Sequence, residues 1–148
     1  MKVREQVVIF PDIHFPHEDK KALSCALAVL EYVKPKSFLL LGDFAECEEA
    51  SHWKYQKVKR PRLEDQLKFI DEELELVNKG LDLIDESCKK AKVKYKICTE
   101  GNHEIWLKNL CDEHPYLKKQ YMPKIAFKMN ERGYSYHPYG KYIKIRNS

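Results

Sequence analysis

The sequence predicts an α/β protein in which parallel strands alternate with helices. The prediction rests on short apolar runs at residues 7–10 and 38–41 and on apolar positions at helical spacing between and after them. Runs of four apolar residues are too short for helices and are typical of strands buried on both faces. A weaker run at residues 93–98 completes a strand–helix–strand–helix–strand order, which is typical of parallel strands joined by crossover helices.

Two amphipathic helices are predicted between these strands. Residues 18–33 carry apolar side chains at helical spacing, and from Leu63 to Ile84 the apolar positions alternate steps of four and three. A single apolar stripe of this kind is typical of one long helix packed on a core. Gly80 interrupts its interior, where glycine costs about 1 kcal/mol relative to alanine, so we expect a bend or a close packing contact there.

Three further elements are predicted near the carboxyl terminus. A short helix is expected over residues 105–110. Residues 134–136 and 142–145 have the composition of two strands, and the turn-forming residues 138–140 lie between them. The pattern therefore predicts a hairpin at this end of the chain.

Length and composition bound the class of protein. A chain of 148 residues corresponds to one domain, and 43% apolar residues can supply its core. The sequence contains neither a membrane-spanning apolar stretch nor an apolar amino-terminal signal, which predicts a soluble, cytoplasmic protein without a membrane partner. Five cysteines without a C-x-x-C pair fit free thiols better than disulfides or a structural zinc.

Three polar clusters directly follow the predicted strands. They are Asp12-Ile13-His14, Gly42-Asp43 and Gly101-Asn102-His103-Glu104. Parallel sheets place their sites outside the carboxyl ends of the strands, so we expect all three clusters at one edge. Carboxylate, imidazole and amide groups together suit Mn²⁺, Fe²⁺, Zn²⁺ or Mg²⁺. A carboxylate on the middle strand can share its oxygens between two ions about 3.5 to 4 Å apart, which clamp a phosphoryl group.

The three clusters resemble the motifs of the calcineurin-like metallophosphoesterases, which are D-x-H, then G-D, then G-N-H-[DE], each after a strand. The resemblance covers about residues 7–104. It implies an α/β/β/α sandwich of two sheets, in which the predicted hairpin begins the second sheet. It also implies hydrolysis of phosphomonoesters or phosphodiesters through metal-activated hydroxide, with two metal ions in a complete site.

The resemblance implies a role for each motif residue. Asp12 and His14 would hold the first metal, Asp43 would bridge, and Asn102 would hold the second. His103 would not be a ligand, because the family uses this histidine beside the scissile phosphate to protonate the leaving group or stabilise charge.

Two further side chains are candidates for an additional ligand or a substrate contact, His52 and Glu104. His52 follows the second strand near the expected mouth of the site, which makes it the first choice among the histidines outside the motifs. The other histidines are expected to be loop, capping or rim residues, and they are His17, His114 and His137.

The chain departs from the family pattern in several places. A further histidine and a G-H-x-H motif do not occur, so the second metal keeps only Asp43 and Asn102, and we expect it to be poorly occupied. The sequence F-A-E at residues 44–46 replaces the acidic, arginine-bearing motif of phosphoprotein phosphatases, which argues against protein phosphatase activity. Trp106 stands where relatives often carry a basic residue, which predicts the loss of a phosphate contact.

Three explanations fit these departures. The chain is the amino-terminal part of a longer enzyme, a natural short form that binds one metal, or a chain whose site a second chain completes. In each case a sheet face that a partner sheet would cover is exposed. We therefore expect an oligomer, or a missing carboxy-terminal segment that covers the sheet.

Two alternatives to an active enzyme follow from the same residues. A catalytically incomplete domain that binds metal, nucleotide or nucleic acid, or a fragment that needs a partner chain, explains the missing histidines. A redox or flavodoxin-like protein shares the strand order but does not explain the third motif.

Basic residues concentrate in two segments. From residue 114 onward, eight lysines or arginines accompany the single acid Glu131, so this segment carries +7 and the preceding residues carry −3. Solvated helix faces are the favoured interpretation of this tail, with nucleic-acid phosphates as the alternative. The second group lies between the second strand and the long helix, interleaved with Trp53 and Tyr55, and comprises Lys54, Lys57, Lys59, Arg60 and Arg62. It predicts either a collar for an anionic substrate or a surface loop without a partner.

Overall fold

Four parallel strands form one sheet in the spatial order β1-β2-β3-β4. The computed structural model describes residues 6–144. The strands are β1 Val7–Pro11, β2 Ser37–Leu41, β3 Tyr95–Thr99 and β4 Tyr134–His137. The α/β class and the first three parallel strands are thus confirmed, whereas the two-sheet sandwich stays a prediction.

Six α-helices occur in the described part of the chain. They are α1 Lys20–Val33, α2 Lys54–Lys57, α3 Leu63–Lys90, α4 Glu104–Glu113, α5 Lys118–Tyr121 and α6 Pro123–Ala126. Helix α1 begins two residues later than predicted, because Asp19 caps it and accepts hydrogen bonds from the N–H groups of Lys21 and Ala22. His17 is therefore not the residue that starts this helix.

Helix α3 buries its apolar stripe against the sheet and α1. Ile70, Val77, Leu81 and Ile84 are almost fully buried, as their spacing predicts. Gly80 faces the ring of Phe15, and a Cβ added there would lie 2.5 Å from two ring carbons. The predicted close packing contact is confirmed.

The two faces of the sheet differ in burial. One face carries buried core residues from all four strands, which are Phe10, Phe38, Leu40, Cys98 and Tyr134. On the other face Ile9, Leu41 and Tyr95 are 46%, 45% and 56% exposed. The prediction that β1 is buried on both faces is wrong, because β1 is an edge strand and its second face is only partly covered.

The predicted carboxy-terminal hairpin is not present in the described residues. β4 pairs with β3 in parallel and extends the first sheet, since helices α4 to α6 carry the chain back before β4 begins. Residues 141–144 follow a turn at Gly140 but form no strand, and Ile145 lies outside the described residues. Alternating aromatic residues predict a strand correctly but do not reveal which strand it will pair with.

Two expectations from composition can be compared with the structure. The five cysteines are free thiols, as predicted, and only Cys25 is exposed. Among residues 6–144, no helix combines the length and apolarity that a membrane crossing requires.

Candidate metal centre

The first two motifs converge at the carboxyl edge of the sheet. Asp12 and His14 follow β1 and Asp43 follows β2, and one ligand atom from each lies within 4.8 Å of the other two. Asp12 is exposed, while His14 and Asp43 are partly exposed. The expected juxtaposition is therefore present, and coordination of a metal by these groups stays a prediction.

Left-handed backbone conformations aim these side chains. Asp12, His14, Gly42 and Asp43 have φ angles of 49°, 56°, 64° and 47°, a conformation in which residues other than glycine are uncommon. Hydrogen bonds continue between the two loops beyond the strand ends, from His14 N–H to Asp43 O at 3.0 Å and from Phe15 N–H to Phe44 O at 2.8 Å. The turns are held by this pairing, so the site side chains leave the sheet in fixed directions.

The third motif packs directly against Asp43. A Cβ at Gly101 would lie 2.3 Å from Asp43 Oδ1, so only glycine allows this approach. The N–H of His103 donates to the same oxygen at 2.9 Å. Asn102 lies between these two residues with its side chain exposed. The third motif thus reaches the first two, with Asn102 at the open side.

Glu104 holds the loops after β2 and β3 together from inside the protein. Its side chain is fully buried and its oxygens accept N–H hydrogen bonds from three residues, which are Asp43, Ala45 and Gly101, at 2.7 to 3.0 Å. Burial raises the pKa of Glu104 to about 7, and the backbone N–H groups oppose that rise. Because both oxygens face the backbone, this geometry does not support the expected role of Glu104 as a ligand or substrate contact.

Glu46 is a site residue that sequence reasoning missed. Its Oε2 lies 2.8 Å from His14 Nδ1, and its backbone carbonyl lies 2.8 Å from His103 Nδ1. A carbonyl can only accept, so His103 carries its proton on Nδ1 and leaves Nε2 open. The sequence offered one signal for Glu46, which was its position as the first polar side chain after Asp43. The two residues between them, Phe44 and Ala45, are apolar and buried.

The structure does not bring His52 into this centre. The groups of His, Cys, Asp and Glu side chains that could hold a metal ion among the described residues are Asp12, His14 and Asp43, and His14, Glu46 and His103. The ring of His52 instead lies against Trp53, with centroids 4.4 Å apart. A left-handed turn at Cys47 and a 3-10 turn at Glu48–Ala50 separate His52 from the strand end, so proximity in sequence did not become proximity in space.

The remaining histidines and the basic tail agree with their simpler interpretations. His114 ends α4 and His137 ends β4, where the His137 ring lies 3.1 Å from the Ser135 hydroxyl. Lysines of the tail are exposed on short helices and turns, and they are Lys118, Lys119, Lys124 and Lys128. This exposure fits both solvated faces and contact with nucleic-acid phosphates, so the choice between them stays a prediction.

No protein-family model, curated protein or solved structure matches this chain.

Proposed function

We propose that this protein is a metal-dependent phosphoesterase that hydrolyses phosphomonoesters or phosphodiesters, as the resemblance to calcineurin-like metallophosphoesterases implies. One observation carries the proposal, which is that Asp12, His14 and Asp43 lie within 4.8 Å of one another. The His103 ring lies against the His14 ring, with centroids 4.7 Å apart, so a second imidazole borders the candidate metal centre.

The donor set fits a divalent cation. The hydrogen bond between His14 Nδ1 and Glu46 leaves His14 Nε2 for coordination, an arrangement in which the carboxylate fixes the tautomer and the ring orientation. Asp43 Oδ1 accepts the His103 N–H, so Oδ2 remains available. A bound divalent cation supplies the acid strength that makes water nucleophilic near neutral pH and stabilises negative charge on a phosphoryl group.

His103 is suited to act on the leaving group. With the proton of Nδ1 donated to the Glu46 carbonyl, the protonated ring presents its second N–H from Nε2. The Glu46 carboxylate also lies close to this ring, with Oε1 3.6 Å from Nδ1. In this arrangement the ring can donate a proton to the departing oxygen of a phosphate ester.

A metal-binding domain without catalysis is the second candidate. It is favoured by the ligand count, since the third motif adds only the exposed Asn102 to the shared Asp43 for a second ion. A site with two protein ligands binds its ion weakly, and a single ion gives a less complete clamp on the phosphoryl group.

Hydrolysis of an aryl phosphate and an aryl phosphodiester in the presence of Mn²⁺ tests the proposal. We expect turnover that Asp43→Ala abolishes and that Asp65→Ala, an exposed position on α3, leaves unchanged. Absence of turnover with every divalent cation tried would refute catalysis by this chain and favour the metal-binding domain.

A further inference from the structure

Both tryptophans of the chain border one cavity beside His103. Trp53 and Trp106 line a cavity of about 500 Å³, and the sequence contains no other tryptophan. The Trp106 ring packs on His103 with centroids 4.2 Å apart. Glu46, whose carbonyl accepts the hydrogen bond from His103, lines the same cavity. The cavity therefore adjoins the imidazole that the proposed function places beside the scissile phosphate.

Trp53 presents an aromatic surface at the rim of this cavity. It is 57% exposed, although tryptophan is highly buried on average. Its ring leans on His52 at an interplanar angle of 39°, which supports it from one side. Exposed aromatic rings beside a groove are surfaces on which nucleobases stack, irrespective of sequence.

The segment that carries Trp53 is strongly basic. Lys57 lines the cavity. Lys54 is paired with Glu49 at 2.6 Å, whereas the ion pairs among the described residues do not include Lys57 or Lys59. Five cations and no acid occur between residues 51 and 62, which are Lys54, Lys57, Lys59, Arg60 and Arg62. Arg60 is also paired, with Glu113 at 3.6 Å, so Lys57 is the unpaired cation among the described residues that line the cavity. An unpaired cation next to aromatic rings suits an anionic ligand that also carries bases.

Two acids line the same cavity, and both have partners. The Glu46 carboxylate is hydrogen-bonded to His14, and a Glu48 oxygen lies 3.9 Å from the Lys54 ammonium. The Glu46 carboxylate thus has a hydrogen-bond partner, and Glu48 shares the Lys54 ammonium with Glu49. A phosphate in the cavity is expected to lie at Lys57, which lines the cavity and is not part of an ion pair among the described residues.

We propose that this cavity binds single-stranded nucleic acid, with a nucleobase stacked on Trp53 and Trp106 and a phosphate beside Lys57. The inference rests on the proposed function, because it places a phosphodiester of the strand beside His103. Small phosphate esters lack the base that would occupy the cavity. The inference therefore narrows the substrate class to phosphodiesters of a single strand.

Tryptophan fluorescence tests this inference directly, because both emitting residues line the cavity. A short oligothymidylate, titrated into the protein without added metal ion, is expected to quench the emission and to bind more weakly as salt increases. Trp53→Ala is expected to weaken binding by about tenfold, as loss of one stacked base requires, while Trp53→Phe retains most of the affinity. Tyr116→Ala, which alters a 69% exposed ring outside the cavity, serves as the matched control.

Several outcomes would overturn the inference. One is that an abasic strand of equal length binds as tightly as oligothymidylate. Another is that thymidine monophosphate binds as tightly as the strand. Absence of strand binding by a protein that hydrolyses an aryl phosphodiester would also overturn it, and the proposed function would remain. Strand binding without hydrolysis in Mn²⁺ would support the cavity assignment and contradict the proposed function.

Discussion

Two glutamates that are not proposed ligands organise the candidate metal centre. Glu104 accepts N–H hydrogen bonds from the loops after β2 and β3, and Glu46 contacts the rings of His14 and His103. The first fixes where the loops meet, and the second fixes which imidazole nitrogens are free. Their substitution is therefore expected to have different consequences, for stability in one case and for metal affinity in the other.

Glu104→Gln is expected to destabilise the protein by about 1 to 3 kcal/mol at acidic pH, because the amide turns two N–H donors towards backbone N–H groups that need an acceptor, whereas the wild-type carboxylic acid carries one O–H. The stability gap to the wild type should depend on pH. Burial raises the pKa of Glu104 to about 7 from an ordinary 4.5. Protonation of Glu104 therefore stabilises the folded state fully below pH 4.5, and this stabilisation is lost as the pH rises through 7. Urea unfolding of both proteins across that range measures the gap, which should shrink with increasing pH. A gap that widens towards pH 7 would contradict the raised pKa.

Glu46→Gln is expected to weaken Mn²⁺ binding by about 10- to 100-fold, because the carboxylate orients His14 and increases its basicity as a ligand. Calorimetric titration with Mn²⁺ measures the change. Glu48→Gln is the matched control, since Glu48 is 52% exposed and contacts neither histidine. Equal affinity in the Glu46 variant and the control would show that Glu46 does not support a ligand.

At this scale the sequence indicates which side chains assemble but not how they are held. Strand-end placement was sufficient to bring Asp12, His14 and Asp43 together, because parallel strands share one carboxyl edge. The contacts of Glu46 and Glu104 depend on turns that contain residues in the left-handed conformation. Residue type alone does not specify the direction of such turns.

Helix α3 shows how one residue can set the distance between two elements. Gly80 lets the Phe15 ring, on the loop after β1, approach the helix backbone. That loop also carries His14, so helix packing and site geometry are linked through three residues.

Gly80→Ala is expected to destabilise the protein by about 1 to 3 kcal/mol through overpacking, even though alanine is the better helix former by about 1 kcal/mol. Thermal or urea unfolding measures the effect. Lys79→Ala, at the neighbouring exposed position, should change stability by no more than about 0.5 kcal/mol. A Gly80→Ala protein more stable than the wild type would mean that Phe15 does not pack as described.

The sequence patterns specified some helices and strands better than others. The stripe from Leu63 to Ile84 and the apolar run of β2 have one consistent interpretation, because both are long or strongly apolar. β4 was assigned to a hairpin because its neighbour in sequence was an apparent strand. Its partner is β3, which is nearly forty residues distant in sequence, and local pattern carries no information on such pairing.

At the scale of the whole molecule, the second face of the sheet is only partly covered by other elements of the fold. Ile9, Leu41 and Tyr95 are each about half exposed on this face, whereas Leu39 on the same face is 3% exposed. Patches of exposed apolar side chains mark interaction surfaces. The sequence-based expectation of an oligomer or a covering segment stays a prediction.

Light scattering of the purified chain is expected to show association that Ile9→Lys or Tyr95→Lys weakens, because each introduces a charge on the exposed face. Tyr32→Lys is the control, since Tyr32 is 88% exposed on α1 and does not belong to the sheet. A monodisperse wild-type monomer would remove the support for self-association through this face.

Calorimetric titration of Mn²⁺ into the wild type and Asp43→Asn tests the central claim, which is that Asp12, His14 and Asp43 hold a common cation. Asparagine keeps the oxygen that accepts the His103 N–H, so the fold should persist while a charged ligand is lost. We predict saturable binding to the wild type that Asp43→Asn weakens more than about tenfold, with Asp65→Asn as the control. Equal Mn²⁺ affinity in the wild type and Asp43→Asn would contradict the account.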